Sequence, residues 1–247
     1  MASIISPDSF ILDGVSSASV GLYVDTPPVP PLAKQKYTTW QNAADSDGCT
    51  PDDVFNNITL TFSCYYFFAE DFDLSALYSF LQDKKILQYS RMPDRFFKIR
   101  QLSGITPAQQ YDGKRIKLSI SFICDPFKYH IVNEWITPEN NVVTNPGTRY
   151  SRPIYKITHS GACAISVNNQ VLQIAQKVTT VNSDGTTTDE YSASPIYVDA
   201  EKMVAYDGNN TNQTKFTTGP FPYLSPGENL VTVSGCTVEI QGNWRDY

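Results

Sequence analysis

Histidine is almost missing: His130 and His159 are the only two in 247 residues. Neither stands in an H-E-x-x-H pair or beside a cysteine pair, so zinc chemistry has few ligands to draw on. There is no G-x-S-x-G elbow, no P-loop and no dinucleotide-binding glycine fingerprint, which removes the commonest nucleophilic and nucleotide-binding designs. The five cysteines (Cys49, Cys64, Cys124, Cys163, Cys236) are odd in number and form no C-x-x-C pair. Cys64 and Cys124 fall at apolar positions of predicted strands, and all five read as buried, reduced thiols. No catalytic residue, metal or cofactor is expected, and the two histidines read as structural or solvated.

Long hydrophobic runs are lacking too. The longest, Cys64 to Ala69, is far too short to span a bilayer, and the opening MASIISPDSF has neither a basic n-region nor an apolar h-region. The expectation is a chain with no membrane partner, made and folded in a cytoplasm, where a sequon such as Asn57-Ile58-Thr59 carries no meaning. Basic clusters are also absent. The net charge of -6 divides as 12 minus 16 over residues 1–143 and 7 minus 9 over residues 144–247. A protein that grips DNA needs Lys and Arg to replace condensed counterions. Binding DNA is therefore disfavoured, while merely surrounding it is not.

What is present favours strands. Fifteen Tyr and 13 Phe accompany abundant Thr and Val, punctuated by 13 Gly and 16 Pro. The length suits two domains of ordinary size, enough to hide on the order of 70% of the unfolded chain's area without disulfides or metal. Ile58, Leu60, Phe62, Cys64, Tyr66 and Phe68 share one face of a period-2 pattern. Ile116, Leu118, Ile120, Phe122 and Cys124 share another, opposite Lys117, Ser119 and Ser121. Shorter runs recur at 97–99, 165–167, 196–198 and 231–233. Asp-Gly pairs beginning at Asp13, Asp47, Asp112, Asp184 and Asp207 predict tight turns. One helix is predicted, with Asp71 or Asp73 as cap and Leu74, Leu77, Tyr78 and Leu81 at helical spacing before Lys84 and Lys85.

Two segments fit neither regular structure. Thr26 to Ala33 holds four prolines, which remove amide donors and stiffen an extended backbone, as an arm or an outlying loop would require. Thr137 to Asn141 and Asn145-Pro146-Gly147 have the composition of a boundary, placing a domain junction near residue 143.

Carboxylates cluster at Asp45/Asp47/Asp52/Asp53 and at Glu70/Asp71/Asp73, and glycoside hydrolysis needs two of them across a sugar. The second group opens the predicted helix, where negative charge complements the dipole, and the first surrounds an Asp-Gly turn. These roles account for both. Trp40, Trp135 and Trp244 are the candidates for a sugar-stacking surface, weighed against core and interface packing.

The order of several segments resembles the distal tail proteins of long-tailed, siphovirus-type bacteriophages, found mostly in phages of Gram-positive bacteria. The likeness is carried by Phe10-Ile11-Leu12-Asp13-Gly14-Val15-Ser16-Ser17 running into Gly21-Leu22-Tyr23-Val24, and by Leu87 to Phe97. It continues in Ser121-Phe122-Ile123-Cys124-Asp125-Pro126-Phe127-Lys128-Tyr129. In the second half it is carried by Asn145 to Thr148, Pro153 to Ile157, Ile196 to Asp199, Gly219 to Asn229 and Gly242-Asn243-Trp244-Arg245.

The resemblance implies a mostly β protein. An N-terminal β-sandwich-like α+β domain (1–143) would carry one helix and an extended arm (about 26–40), followed by a C-terminal galectin-like β-sandwich (144–247). It implies a structural, non-enzymatic baseplate hub in the virion, at the distal end of the tail. A homo-hexameric ring would join the tail tube protein to tail-associated fibre or lysin proteins, with the tape-measure protein as a further partner and DNA passing through. The arm of such a ring embraces the neighbouring subunit, which makes Pro27, Pro28, Pro30, Pro31, Leu32, Tyr37 and Trp40 the candidate interface. The alternative is a carbohydrate-binding module of the tail tip that contacts cell-wall glycans. No extra carbohydrate-binding insertion is evident in either half.

Overall fold

A computed structural model describes residues 8–41, 47–67, 74–111 and 114–247. They are mostly strand and fall into two compact units, one reaching to Ile131 and including Tyr247, the other Val132–Asp246.

The first unit contains β1 (Phe10–Leu12), β2 (Val15–Ser16), β3 (Leu22–Thr26), β4 (Gln35–Gln41), β5 (Asp47–Phe55) and β6 (Ile58–Phe67). After helix α1 (Ser75–Leu81) come β7 (Ile86–Tyr89), β8 (Arg95–Tyr111), β9 (Arg115–Cys124) and β10 (Lys128–His130). The predicted alternation holds in β6 and β9. Ile58, Leu60, Phe62, Cys64 and Tyr66 are buried opposite the buried face of β9, in the register Leu60↔Phe122, Phe62↔Ile120 and Cys64↔Leu118. Phe68, the last residue of that predicted face, lies outside the described residues.

Long β8 pairs with β9 through three register shifts, and near its start with β7 and β10. Such bulges bend a strand and increase its twist. The main path runs β2-β1-β7-β8-β9-β6-β3. Its curl lets β1 and β7 pack on β6 and β9: the ring of Phe62 lies 4.9 Å from Phe10, 5.2 Å from Tyr89 and 6.1 Å from Phe122. Edge-on and tilted pairs of this kind add to the apolar burial itself.

The helix departs from the predicted stripe. Leu77, Phe80 and Leu81 are buried while Tyr78 is exposed. In a helix of only two turns the i, i+3, i+4 set starting at Leu77 defines the whole buried face. Leu74 occupies the N-cap position without a side-chain hydrogen bond, and Asp71 and Asp73 lie outside the described residues. The Asp-Gly pairs also divide. Asp13-Gly14 makes the two-residue turn between β1 and β2, with φ of 48° and 85°, and Asp184-Gly185 turns a hairpin in the second unit. Asp207 instead accepts from the amides of Asn209 and Thr211 across a loop. Asp47-Gly48 opens β5 opposite Gln41 and Trp40 instead of turning the chain. Asp112-Gly113 lies outside the described residues.

The second unit contains β11 (Trp135–Ile136), β12 (Val142–Asn145), β13 (Ile154–Val167), β14 (Gln170–Ile174), β15 (Lys177–Val181) and β16 (Thr187–Tyr191). It continues with β17 (Ile196–Asp199), β18 (Val204–Tyr206), β19 (Thr217–Thr218), β20 (Gly227–Gln241) and β21 (Arg245–Asp246). Strands β13 and β20 run together for most of their length, with a register shift between His159 and Ala164. On one side of that bend they carry β11, β17 and β18, and on the other β12, β14 and β19. Two long strands thus serve both layers of a sandwich. Its shared core holds Tyr155, Ile157, Ile165, Val167, Leu172, Val198, Ile240 and Trp244. Gly242 lets the indole of Trp244 fold back, since a Cβ there would lie 2.1 Å from its ring. The ribbon β15–β16 pairs only with itself among the described residues.

Candidate assembly surfaces

After β3 the proline segment 27–34 has no regular structure, as the loss of amide donors dictates. It is tied back at two points. Arg91 Nε donates to the carbonyl of Pro27 at 3.0 Å, and Ala33 packs against the first core. Between them Val29 is 72% and Leu32 78% exposed. Pro31 is exposed as well, while Pro27, Pro28 and Pro30 are half-buried.

The chain then doubles into the ribbon β4–β5, held by Gln35 Nε2 on the carbonyl of Asp52 (2.7 Å) and Thr38 Oγ1 on its carboxylate (2.9 Å). The predicted arm is therefore a hairpin from Gln35 on. Tyr37 stands 55% exposed on it, with Val54 also exposed, and no third strand joins among the described residues. A two-stranded ribbon is marginal alone, and its open edges and exposed apolar side chains suit contact with another chain. Cys49 lies on this ribbon and is exposed, and Cys236 is only half-buried, so the reading of all five thiols as buried fails at these two. A two-stranded ribbon has no second layer under which to bury a thiol. The side chain of Trp40 lies outside the described residues.

His159 and the buried carboxylates of the two units are engaged in structural contacts. His159 places Nδ1 2.8 Å from the carbonyl of Gly161 and Nε2 3.0 Å from that of Ala193, fastening the bend of β13 to the segment before β17. Buried Asp125 accepts from the Arg100 guanidinium and, at 3.1 Å, from the Tyr129 hydroxyl. Buried Asp199 accepts from the amides of Glu201 and Lys202 at 3.0 and 2.9 Å. These two carboxylates belong to different units. Asp45 and the 70–73 group lie outside the described residues, and Asp52 is taken up within the ribbon. Among the described residues no three His, Cys, Asp or Glu side chains gather as metal ligands, and no helix is long and apolar enough to cross a membrane. Burial pushes the thiols of Cys64 and Cys124 up to about 12, which leaves them un-ionised and poor nucleophiles at neutral pH.

The three tryptophans do not come together as a surface. Trp244 is in the second core and Trp135 is 39% exposed on β11. Sequence reasoning missed the companions of Trp135. On the outward side of one layer Glu239, Lys156, Tyr197 and Tyr206 form a single cross-strand row over β20, β13, β17 and β18. The rings of Tyr197 and Tyr206 are stacked at 5.6 Å and 7°, and the indole of Trp135 meets Tyr197 at 6.2 Å. Lys156 and Glu239 form an ion pair within this row, and their hydrogen bond raises the lysine above its ordinary value. The signal lay in register, which single-strand periodicity does not give.

No family model matches the sequence, and no curated protein matches it. Among solved structures, the SPP1 Dit (gp 19.1) protein superposes with a TM-score of 0.63 at 14% identity, over 94% of this chain and 96% of that one. That protein is described as a paradigm of the hub adsorption apparatus in phages infecting Gram-positive bacteria. The phage P2 baseplate in its activated conformation with Ca gives a TM-score of 0.39 at 10% identity, over 94% of this chain and 97% of that one. The phage p2 baseplate with Sr gives 0.40 at 10% identity, over 95% and 98%. Scores that low carry no argument, so the comparison rests on Dit, with which this chain shares a fold.

Proposed function

We propose that this chain is a structural hub of a phage tail tip. Six copies form a ring at the distal end of the tail, joining the tube to the adsorption proteins and surrounding the DNA path. The observation that carries the reading is the fold shared with SPP1 Dit over 94% of the chain. The exposed apolar residues of the proline segment, and the ribbon that follows it, which no third strand joins among the described residues, support the same reading. Fold alone does not assign function, and here it agrees with a surface suited to assembly.

A closed ring is built from head-to-tail contacts, so each copy offers two different surfaces. An arm enlarges one of them without enlarging a core. If a joint buries about 1,000 Å² of apolar area, the gross gain at about 25 cal/mol per Å² is about 25 kcal/mol, against about 4 to 15 kcal/mol of lost freedom. Assembly then needs no covalent link. The net charge of -6 suits a conduit through which DNA slides without sticking. Tube, fibre or lysin and tape-measure proteins are the partners this role requires, and the virion tail is its place.

Deleting residues 27–36 tests the reading. The shortened chain is expected to remain folded by circular dichroism and to form a smaller species than the full chain by light scattering. An unchanged oligomer would remove the arm from the account.

A further inference from the structure

The outward row of the second sandwich has a composition that a protein contact would not favour. Protein interfaces place apolar and aromatic groups at the centre and charge at the rim. Here the order is reversed. The Lys156–Glu239 ion pair sits within the row, with Tyr197 and Tyr206 beyond it on one side and Trp135 reaching back from the far edge. Strands in a sheet are about 4.8 Å apart, so β11 and β17, separated by β20 and β13, stand about 14 Å apart. Their rings nonetheless meet at 6.2 Å, so indole and phenol lean towards each other across β20 and β13, and Trp135, which pairs with Gln241 beside the row, remains 39% exposed. A protein partner closing over this face would have to desolvate two charges and match each with a hydrogen-bonding group of its own.

A sugar ring does supply them. A pyranose has one face of C–H bonds and a rim of hydroxyls that both donate and accept. Its apolar face stacks on tyrosine and tryptophan, whose rings combine an apolar body with a polar tip, and its hydroxyls bond to the ammonium and the carboxylate. We infer that the face of Trp135, Tyr197 and Tyr206, with Lys156 and Glu239 between them, binds a segment of neutral glycan. The site belongs to one chain and does not depend on the ring. Where the hub reading holds, six copies multiply a weak affinity by effective concentration.

The test is a titration of the full chain with tetrasaccharides built from glucose, galactose or N-acetylglucosamine, read by amide chemical shifts and tryptophan emission. At least one oligomer is expected to give saturable shifts confined to β11, β13, β17, β18 and the end of β20. Trp135→Ala and Tyr197→Ala should each weaken that binding at least tenfold with an unchanged circular dichroism spectrum, and Trp135→Phe should restore most of it. Glu239→Gln should weaken it a few fold. No saturable shift with any of the three sugars, or equal affinity in the alanine variants, overturns the inference. So does a Tyr197→Ala variant that loses a protein partner while no sugar binds. Oligomer size measured in the same samples reports on the ring separately.

Discussion

Replacing Asn229 by aspartate keeps the side chain's shape and removes its donors, and the structure gives the consequence a definite pH dependence. Asn229 is fully buried at the start of β20. Its Nδ2 donates to the carbonyls of Ser225 (2.8 Å) and Gly227 (2.9 Å), with Val143 O at 3.3 Å, while Oδ1 accepts from Ser225 N and Asn168 Nδ2, both at 2.7 Å. The amide thus closes the 225–229 turn and joins it to β12 and to the turn before β14. A carboxylate introduced here would be desolvated and would face three carbonyl oxygens, and both effects favour the neutral acid. Fully buried carboxyls are raised by about 3 to 5 units, at about 1.36 kcal/mol each, giving about 4 to 7 kcal/mol. The folded pKa then lies above the unfolded value of about 3.9. This penalty is absent below about pH 4, grows as pH rises towards the folded pKa, and is constant beyond it. A further loss of about 1 to 3 kcal/mol for the missing donor applies at every pH. Against a domain stability of about 5 to 15 kcal/mol, the second sandwich of the variant should survive at about pH 4.5 and be largely lost at about pH 8. Urea unfolding of Asn229→Asp followed by circular dichroism at these two values and at about pH 6 measures this. A midpoint shift equal at all three values would refute the reasoning.

Thiol accessibility supplies a second prediction. In native protein a disulfide reagent such as dithionitrobenzoate should titrate Cys49 fast, while Cys64, Cys124 and Cys163, buried and with thiols pushed up to about 12, react only on unfolding. Rapid reaction of Cys64 would contradict the burial of the inner face of β6 in the first core. A third concerns the ribbon β15–β16. Hydrogen bonds from Lys177 and Thr179 hold the Asp189 carboxyl below its ordinary value. That contribution is complete above about pH 4 and is lost as pH falls through the lowered value. Amide exchange within 177–191 should therefore accelerate, relative to β13, on acidification from about pH 5 to about pH 3. Equal protection at both ends would show that the contact does not hold the ribbon.

Much of the first core was legible because period 2 needs only neighbouring residues: the buried faces of Ile58 to Tyr66 and Ile116 to Cys124 follow directly from it. Asp13-Gly14 was legible for the same local reason, since the positive φ of both residues is written in their types. Asp47-Gly48 misled because the same pair fits at the start of a strand, where the pairing of β5 with β4 decides. Tyr78 misled because helical spacing does not reveal which of two overlapping faces meets the core, and Phe80 took that place. The row of Glu239, Lys156, Tyr197 and Tyr206 was invisible in sequence, being spread over four strands and assembled by register. The apolar residues Val29 and Leu32 of the proline segment were legible as composition, and their exposure is a property of the fold.

Negative-stain microscopy of the purified full chain addresses assembly most directly. Closed particles with six-fold symmetry and a central opening are the predicted result. A field of single particles the size of one chain, unchanged as concentration rises well above micromolar, would contradict it.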